Sequence, residues 1–209
     1  IGAIWSSCSP DFGEAAILDR FNQIKPKVLL YCKISLYGGK TFDIDTQIKN
    51  VINNIKTLEH TICINYPDKK LDKGKDEISL NSIFQKETYQ EKIIFEENSF
   101  NDPMYILYSS GTTGKPKCIV HNTGGPLLQH TKEQQLHCDL KIGDKLFYYT
   151  TCGWMMWNWL ITGLASGVSL VLYDGSPFYP EKETLFKIAE EEEITCFGTS
   201  AKFIDALRN

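Results

Sequence analysis

Residues 108–121 read YSSGTTGKPKCIVH, a run of hydroxyl side chains and glycines that continues into two lysines and a β-like segment. Glycines let a backbone approach a ligand closely, and successive backbone amides can bind an anion. Lys115 and Lys117 add positive charge, and Pro116 stiffens the end of the loop. An apolar segment at 104–108 precedes the loop. We therefore predict a strand, a polyanion-binding loop and a second strand.

The loop differs from the phosphate-binding loop of P-loop NTPases. That motif has four residues between its glycines, continues into Lys and Ser or Thr, and opens a helix. Here only two residues separate Gly111 from Gly114, and Pro116 follows at once after Lys115. A solvated Gly/Ser/Thr turn is the simpler alternative, but nine residues of this composition directly after an apolar strand favour ligand binding.

Short β-rich segments alternate with segments of helical periodicity along the chain, which predicts an α/β fold with mostly parallel sheets flanked by helices. Paired glycines at Gly38 and Gly39 predict a hairpin turn, and the charged segment 67–77 predicts a solvent-exposed insertion. Predicted strands occupy 3–7, 28–32, 61–64, 104–108, 118–121, 146–150, 169–173 and 195–198. Predicted helices occupy 10–25, 45–55, 124–140, 155–166, 180–193 and 200–209.

The composition excludes several classes of protein. The chain has 209 residues, a net charge of -4 and 42% hydrophobic residues, which gives no reason to expect a nucleic-acid or membrane surface. Its apolar runs are shorter than the roughly 18 residues that a membrane span needs. The seven cysteines are scattered without a CxxC pair, mostly inside apolar runs. This distribution predicts reduced thiols in a cytoplasmic protein and no zinc site, and we assign no residue as a metal ligand.

The two ends of the chain lie inside predicted elements. Ile1 begins a strand-like run, and 200–209 has helical spacing without a stop signal. We expect a partial domain over 1–209, truncated at both ends. Within the polar helix at 124–140, we expect His130 and His137 to be solvated.

The string Y-S-S-G-T-T-G-x-P-K resembles the signature of the adenylate-forming superfamily, which includes acyl-CoA synthetases, peptide-synthetase adenylation domains and beetle luciferases. In that family the loop is a clamp on the β- and γ-phosphates of ATP while a carboxylate attacks the α-phosphate. The resemblance implies a part of the large N-terminal domain, with Thr112 and Lys117 as catalytic groups and with ATP, Mg²⁺ and coenzyme A as substrates and cofactor. The nucleotide-contacting residues that it implies are Ser109, Ser110, Gly111, Thr112, Thr113, Gly114, Lys115 and Lys117.

A second segment, YTTCGWMMWNW at 149–159, concentrates tryptophan and methionine. Ordinary core packing would explain such a cluster, because Trp and Met at helical spacing usually pack. The segment also resembles the family's acyl-pocket motif, in which a Gly-Trp pair begins a helix. That resemblance implies Met155 and Met156 as the pocket wall, with Trp154 and Trp157 as rigid supports.

Three further strings resemble the acetoacetate-activating members of the superfamily: GAIWSSCSPDFG at 2–13, YDGSP at 173–177 and FGTSAKF at 197–203. The implied reaction is ATP-dependent formation of acetoacetyl-AMP, followed by transfer to coenzyme A. A ligase for acetate or propionate, and a catalytically inactive nucleotide-binding module, remain alternatives. The family's adenine, ribose and hinge motifs, and its small C-terminal domain with the adenylation lysine, are absent from these residues, so we expect the 209 residues alone to be inactive.

Overall fold

The computed structural model describes residues 1–64, 78–86, 92, 94–109 and 114–208. The predicted insertion at 67–77 lies outside them, as do Ser110, Gly111, Thr112 and Thr113 of the loop. The strands are β1 (Trp5–Ser6), β2 (Val28–Tyr31), β3 (Ile34–Tyr37), β4 (Lys40–Asp43), β5 (His60–Cys63), β6 (Ile78–Ser79), β7 (Pro103–Tyr108), β8 (Cys118–Asn122), β9 (Lys145–Tyr148), β10 (Ser169–Val171) and β11 (Cys196–Gly198). The α-helices are α1 (Glu14–Ile24), α2 (Asp45–Asn54), α3 (Leu80–Lys86), α4 (Gly124–Lys132), α5 (Met155–Thr162), α6 (Thr184–Glu191) and α7 (Ala201–Leu207).

The strands form three small sheets and a hairpin. The sheets have the strand orders β1-β7-β8, β10-β9-β11 and β2-β5-β6, and β3 pairs with β4 in the hairpin. All pairs are parallel except β7 with β8 and β3 with β4. The prediction of an α/β fold with mostly parallel sheets is therefore confirmed. The turn predicted at the paired glycines is also confirmed, with φ of 56° at Gly38 and 74° at Gly39.

Strand β9 shows that the β10-β9-β11 sheet is buried on both faces. Leu146 and Phe147 are neighbours on this central strand, so their side chains point to opposite faces. Leu146 is 0% exposed and packs with Trp159 and Leu160 of α5. Phe147, 1% exposed, packs with residues of α6 and α7. Helices therefore cover both faces, as parallel sheets require.

The first part of the chain has its own core. Ile17 and Phe21 of α1 pack with Leu29 of β2 and with Val51 and Ile55 at the α2 side. These apolar positions recur at helical spacing on α1 and α2, so each helix buries one stripe against the strand and the other helix. Tyr108, at the end of β7, packs against the same cluster, which places α1 beside the start of the predicted loop.

Several helices begin at different residues from those predicted. Helix α1 begins at Glu14 because the backbone N–H of Phe12 bonds to the Ser9 carbonyl in a turn, 3.1 Å, and Gly13 is extended. Helix α2, in contrast, begins at Asp45, the first residue of the predicted range, and the Asp45 N–H donates to the Asp43 carboxylate at 2.9 Å.

The ends of the last two helices also differ from the prediction. Helix α6 begins at Thr184 rather than near Pro180, since the Thr184 hydroxyl donates to the Glu181 carbonyl in a preceding turn, 2.7 Å. Ser200 caps α7, where its hydroxyl oxygen accepts from the Phe203 N–H at 3.2 Å.

All seven cysteines lie among the described residues, and none of them is paired with another. In the part of the chain that the structure describes, no helix has the length and apolar character needed to cross a membrane.

Candidate active site

The base of the loop is closed by the strands on either side of it. Tyr108 at the end of β7 stands opposite Cys118 at the start of β8. One residue further, the Ser109 N–H donates to the Lys117 carbonyl at 3.0 Å, and the Ser109 hydroxyl oxygen accepts from the Lys117 N–H at 3.4 Å. These bonds fix where the two arms of the loop leave the sheet, and so confirm the predicted strand–loop–strand arrangement.

The described loop residues are open to solvent. Gly114 has a φ of 114°, a left-handed conformation that favours glycine. Lys115 and Lys117 are both exposed, so their ammonium groups are available to a ligand.

Helix α1 holds both ends of the loop. Gln23 Nε2 donates to the Pro116 carbonyl at 2.9 Å, and its Oε1 accepts from Cys118 Sγ at 3.7 Å. The guanidinium of Arg20 lies 5.7 Å from the ring centre of Tyr108, where the loop begins. One helix face therefore contacts the residues that enter and leave the loop.

Strand β1 reaches the same place from the other side. The Ser6 hydroxyl lies 2.9 Å from the Ile106 carbonyl and 3.0 Å from the Tyr108 phenol oxygen. Burial raises the pKa of Tyr108 to about 12, so the phenol stays neutral at physiological pH. Strand β7 is thus fixed by β1 as well as by β8.

The residues after β1 also contact the segment 149–159, called here the Gly-Trp segment because it contains Gly153 and Trp154. The Ser7 hydroxyl donates to the Cys152 carbonyl, and Cys152 Sγ lies 3.9 Å from the Cys8 carbonyl. A side-chain carbon at Gly153 would lie 3.5 Å from the backbone nitrogen of Ser9, which shows how closely the two backbones approach. The loop region and the Gly-Trp segment are therefore joined through a few residues at the start of the chain.

The four predicted acyl-pocket residues separate into two pairs. Trp154 immediately precedes α5 and is 59% exposed, and Met155 is 44% exposed. Met156 and Trp157 are half-buried and pack against the core that contains Leu146. Trp154 and Met155 thus present apolar surface to solvent close in the chain to the Ser7–Cys152 contact, whereas Met156 and Trp157 pack on the core.

Helix α5 is held by a buried polar network from the end of α4. After Lys132 the helix continues as a π-helical turn, Glu133–His137. Gln134 is fully buried, donates from Nε2 to the Trp159 carbonyl at 2.7 Å and accepts from the Ser166 hydroxyl at 2.9 Å. The indole N–H of Trp159 donates to the Glu133 carboxylate at 3.0 Å. Satisfied polar contacts of this kind fix one arrangement of two helices.

His130 belongs to the same network, so the prediction that it is solvated is wrong. It is 6% exposed, and its Nδ1 lies 3.0 Å from the Thr162 hydroxyl oxygen. That hydroxyl donates to the Asn158 carbonyl at 2.8 Å, so Nδ1 carries the proton and donates. His130 lies on the face of α4 that packs against α5, so α5 covers its side chain. His137 is exposed, as predicted.

Further polar groups lie where parallel strands end. Thr199 follows β11, and its hydroxyl is buried without a hydrogen-bond partner. Asp174 follows β10, where burial raises the pKa of its carboxyl. Carboxyl ends of parallel strands are the usual place for ligands in α/β proteins. Sequence reasoning gave neither residue a role, although both stand directly after predicted strands.

A surface hollow of about 540 Å³ lies beside the β10-β9-β11 sheet, at the opposite ends of its strands from Asp174 and Thr199. It is lined by residues before β9 and β10, including Lys141 and Gly167, at the amino ends of these strands. We do not assign it to the substrate, since the loop and the Gly-Trp segment lie elsewhere.

No group of three or more His, Cys, Asp or Glu side chains among the described residues is arranged to hold a metal ion. Asp19, the acid that contacts the loop, already pairs with Lys115 at 3.3 Å. The described residues thus do not fit a protein-held Mg²⁺.

Residues 1–209 match the model of the family described as AMP-binding enzyme. The chain therefore belongs to the AMP-binding enzyme family, in agreement with the resemblance carried by the loop.

Its relatives include acyl-CoA synthetases. An acetoacetyl-coenzyme A synthetase of Rhizobium meliloti is 49% identical over 214 residues, covering 100% of this chain and 32% of the relative. A malonamoyl-CoA synthetase of Penicillium aethiopicum is 39% identical, over 99% of this chain and 31% of the relative. The solved acetoacetyl-CoA synthetase from Streptomyces lividans matches with a TM-score of 0.92 and 40% identity, over 100% of this chain and 31% of that one. The chain spans about a third of the length of these relatives.

The buried His130 predicts a pH dependence of stability. Burial lowers the pKa of His130, and His121 lowers it further, while Glu133 acts in the opposite direction. The unfolded chain therefore binds more protons than the folded chain below about pH 6.5, so stability is retained above that pH and lost as the pH falls through it. The free energy of unfolding should drop between pH 7.5 and 5.5, by at most about 1.4 kcal/mol per pH unit for this proton.

Chemical denaturation at several pH values measures this effect. The variant His130→Gln should have a shallower pH dependence than the wild type, whereas the matched variant His137→Gln should keep the wild-type dependence. Identical slopes for wild type and His130→Gln would contradict a buried neutral imidazole.

Proposed function

We propose that this chain provides the phosphate-binding loop and the acyl-binding segment of an AMP-forming ligase that converts acetoacetate to acetoacetyl-CoA. The observation that carries the proposal is the junction at β1, which joins the loop 109–117 to the Gly-Trp segment through Ser6 and Ser7. Adenylation requires a triphosphate and a small acid to meet, and these are the two segments that such substrates need. Identity of 49% to an acetoacetyl-coenzyme A synthetase supports acetoacetate as the acid.

The proposed reaction has two steps. A carboxylate oxygen of acetoacetate attacks the α-phosphorus of ATP, and the bond to the β-phosphate oxygen breaks, so pyrophosphate leaves with the electron pair. The sulfur of coenzyme A then attacks the acyl carbon, AMP leaves with the electrons of its bond, and the thiol proton is released. Charge accumulates on pyrophosphate in the first step, and donors placed around it lower that barrier.

We assign the residues of this chain to the first step. Lys117 and Thr112 serve as donors to the departing pyrophosphate, and the neighbouring hydroxyl and glycine positions of the loop receive its other oxygens. The Ser109–Lys117 hydrogen bonds support this role because they hold Lys117 directly before the start of β8.

The acyl group is assigned to the surface formed by Trp154 and Met155, with Met156 and Trp157 beneath them. Methionine is flexible and polarizable, so it adapts to a short β-keto chain. The exposure of Trp154 and Met155 supports this assignment over plain core packing, for which Trp159 is the clear example.

The remaining groups come from outside these 209 residues. The chain spans about a third of its relatives' length, so we propose that it is part of a nucleotide-binding domain whose adenine, ribose and catalytic-lysine motifs lie elsewhere. Mg²⁺ accompanies ATP in our proposal, held by phosphates in the way typical of this ion. We assign it no ligand in this chain and derive no step from it. Seven free thiols favour the reducing cytoplasm.

A second acid is suggested by the malonamoyl-CoA synthetase of Penicillium aethiopicum. Malonamate and acetoacetate both carry a carbonyl two bonds from the carboxyl carbon, and they differ in an amide nitrogen against a methyl group. Acetate and propionate lack that carbonyl. The feature that the proposed site must recognise is therefore the β-carbonyl group.

ATP–pyrophosphate exchange by the product of the complete reading frame tests the acid. Acetoacetate should support the fastest exchange, with malonamate slower, and with acetate, propionate and butyrate slowest because they lack the β-carbonyl. Equal or faster exchange with acetate would contradict the acetoacetate assignment, and no exchange with any acid would contradict adenylation.

Changing the acyl wall should alter the choice of acid alone. The double variant Met155→Ala, Met156→Ala should change the ratio of kcat/KM for acetoacetate and butyrate by about 10-fold or more, since one methylene is worth about 10- to 200-fold in an apolar pocket. The KM for ATP should stay within about twofold. Ile161→Ala, on the same helix, is the control and should leave the ratio unchanged. An unchanged ratio in the double variant would assign the cluster to packing.

Changing the loop should have the reverse effect. Lys117→Met should lower exchange by about 10²- to 10³-fold with every acid, the usual cost of losing one charge-stabilising donor. The order of the acids should stay the same. Lys56→Met, an exposed lysine elsewhere, is the control. Retention of full exchange in Lys117→Met would exclude the assigned role.

A further inference from the structure

Three residues of α1 face the loop and make different kinds of contact. Gln23 bonds to the backbone of Pro116 and to Cys118, and Arg20 lies over Tyr108. Asp19 instead contacts a charged side chain, with its Oδ1 3.3 Å from Lys115 Nζ. Residues 19 and 23 are one helical turn apart, so they share one face of the helix.

The contacts of Gln23 and Asp19 have different consequences for the loop. The Gln23 amide fixes backbone atoms, and nothing about that bond depends on a ligand. The Asp19 carboxylate occupies the ammonium group of Lys115, one of the loop residues that the family resemblance implies as contacts of the ATP phosphates. Lys115 has a compact point charge, so its close contacts with a carboxylate and with a phosphate compete.

The strength of the Asp19–Lys115 pair suits reversible competition. The Asp19 and Lys115 side chains are 41% and 74% exposed, and pairs this open to water are worth little, about 0–1 kcal/mol. A polyphosphate carries more negative charge than one carboxylate and can displace it.

We infer that Asp19 is a positioning residue that opposes ATP binding: its carboxylate is the resting counter-ion of Lys115, and the phosphates of ATP displace it. This inference rests on the proposed function, since it assumes that Lys115 meets phosphate. Helix α1 would then affect the KM for ATP through the contact of Asp19 with Lys115. Gln23, on the same helix, holds the backbone of the loop at Pro116.

A double-mutant cycle on the product of the complete reading frame tests the inference. Asp19→Asn keeps the shape of the side chain and removes its charge. It should lower the KM for ATP by about 1.5- to 5-fold, the range that corresponds to an exposed pair. The kcat and the melting temperature should stay close to those of the wild type, whereas a merely structural role would lower both.

The Lys115→Met background separates the pair from general charge repulsion. Asp19→Asn should have no further effect on the KM for ATP in that background, because the competing ammonium is gone. Glu14→Gln is the matched control: it removes an acid from the same helix that bonds to Asn50 at 3.0 Å rather than to the loop. That variant should leave the KM for ATP unchanged.

Two sets of results would overturn the inference. A KM effect of Asp19→Asn that persists fully in Lys115→Met would mean that its charge acts without Lys115. An unchanged or higher KM in Asp19→Asn alone would mean that no competition exists. If Lys115→Met turns over too slowly, dissociation constants for ATP measured without acid complete the same cycle.

Failure of the proposed function gives a different pattern. In that case the wild type shows no acid-dependent exchange with any acid. If the wild type exchanges normally but the effects of Asp19→Asn and Lys115→Met on the KM for ATP simply add, only the Asp19 inference is refuted. A wild type that does not bind ATP overturns both.

Discussion

Ser6, the last residue of β1, and Ser7, which follows it, connect the parts of this molecule that the proposed reaction must bring together. Ser6 bonds to a carbonyl and a phenol of β7, the strand that leads into the loop. Ser7 bonds to the Cys152 carbonyl, two residues before Trp154. Because side chains alternate along a strand, consecutive residues reach opposite neighbours. These two adjacent residues thus fix the position of β7 relative to the segment around Cys152, and the proposed site depends on that arrangement.

The sequence was sufficient for the fold class and for the strands beside the loop. The alternation of apolar segments with segments of helical periodicity is a local signal. The pair Gly38 and Gly39 is another, because glycine lacks a Cβ and so adopts the positive φ of this turn readily. Helix starts were less accurate. A turn stabilised by a hydroxyl, as at Thr184, has the same residue types as the first turn of a helix, and only the bonding pattern separates the two.

The candidate site was predictable in its parts but not in its connections. The proposed phosphate-binding loop has a local motif, so Lys115 and Lys117 could be named as candidates from the string alone. Asp19 and Ser7 lie about a hundred or more residues from their partners, in ordinary surroundings, and no spacing rule relates them. His130 shows the same limit, since a polar helix predicts solvent unless one knows which neighbour covers it. Long-range contacts belong to the folded chain rather than to any segment of it.

The π-helical turn at Glu133–His137 places an unusual constraint on how this part of the chain can vary in length. A π turn contains one residue more than the α-helical turn that it replaces. Deleting a single residue there would restore a regular helix, and each residue of an α-helix advances by about 100° around its axis. Adjacent residues within the turn would then be spaced differently around the axis, which would disturb the contacts of Glu133 and Gln134 with Trp159. The number of residues in this turn is therefore constrained by its contacts with α5.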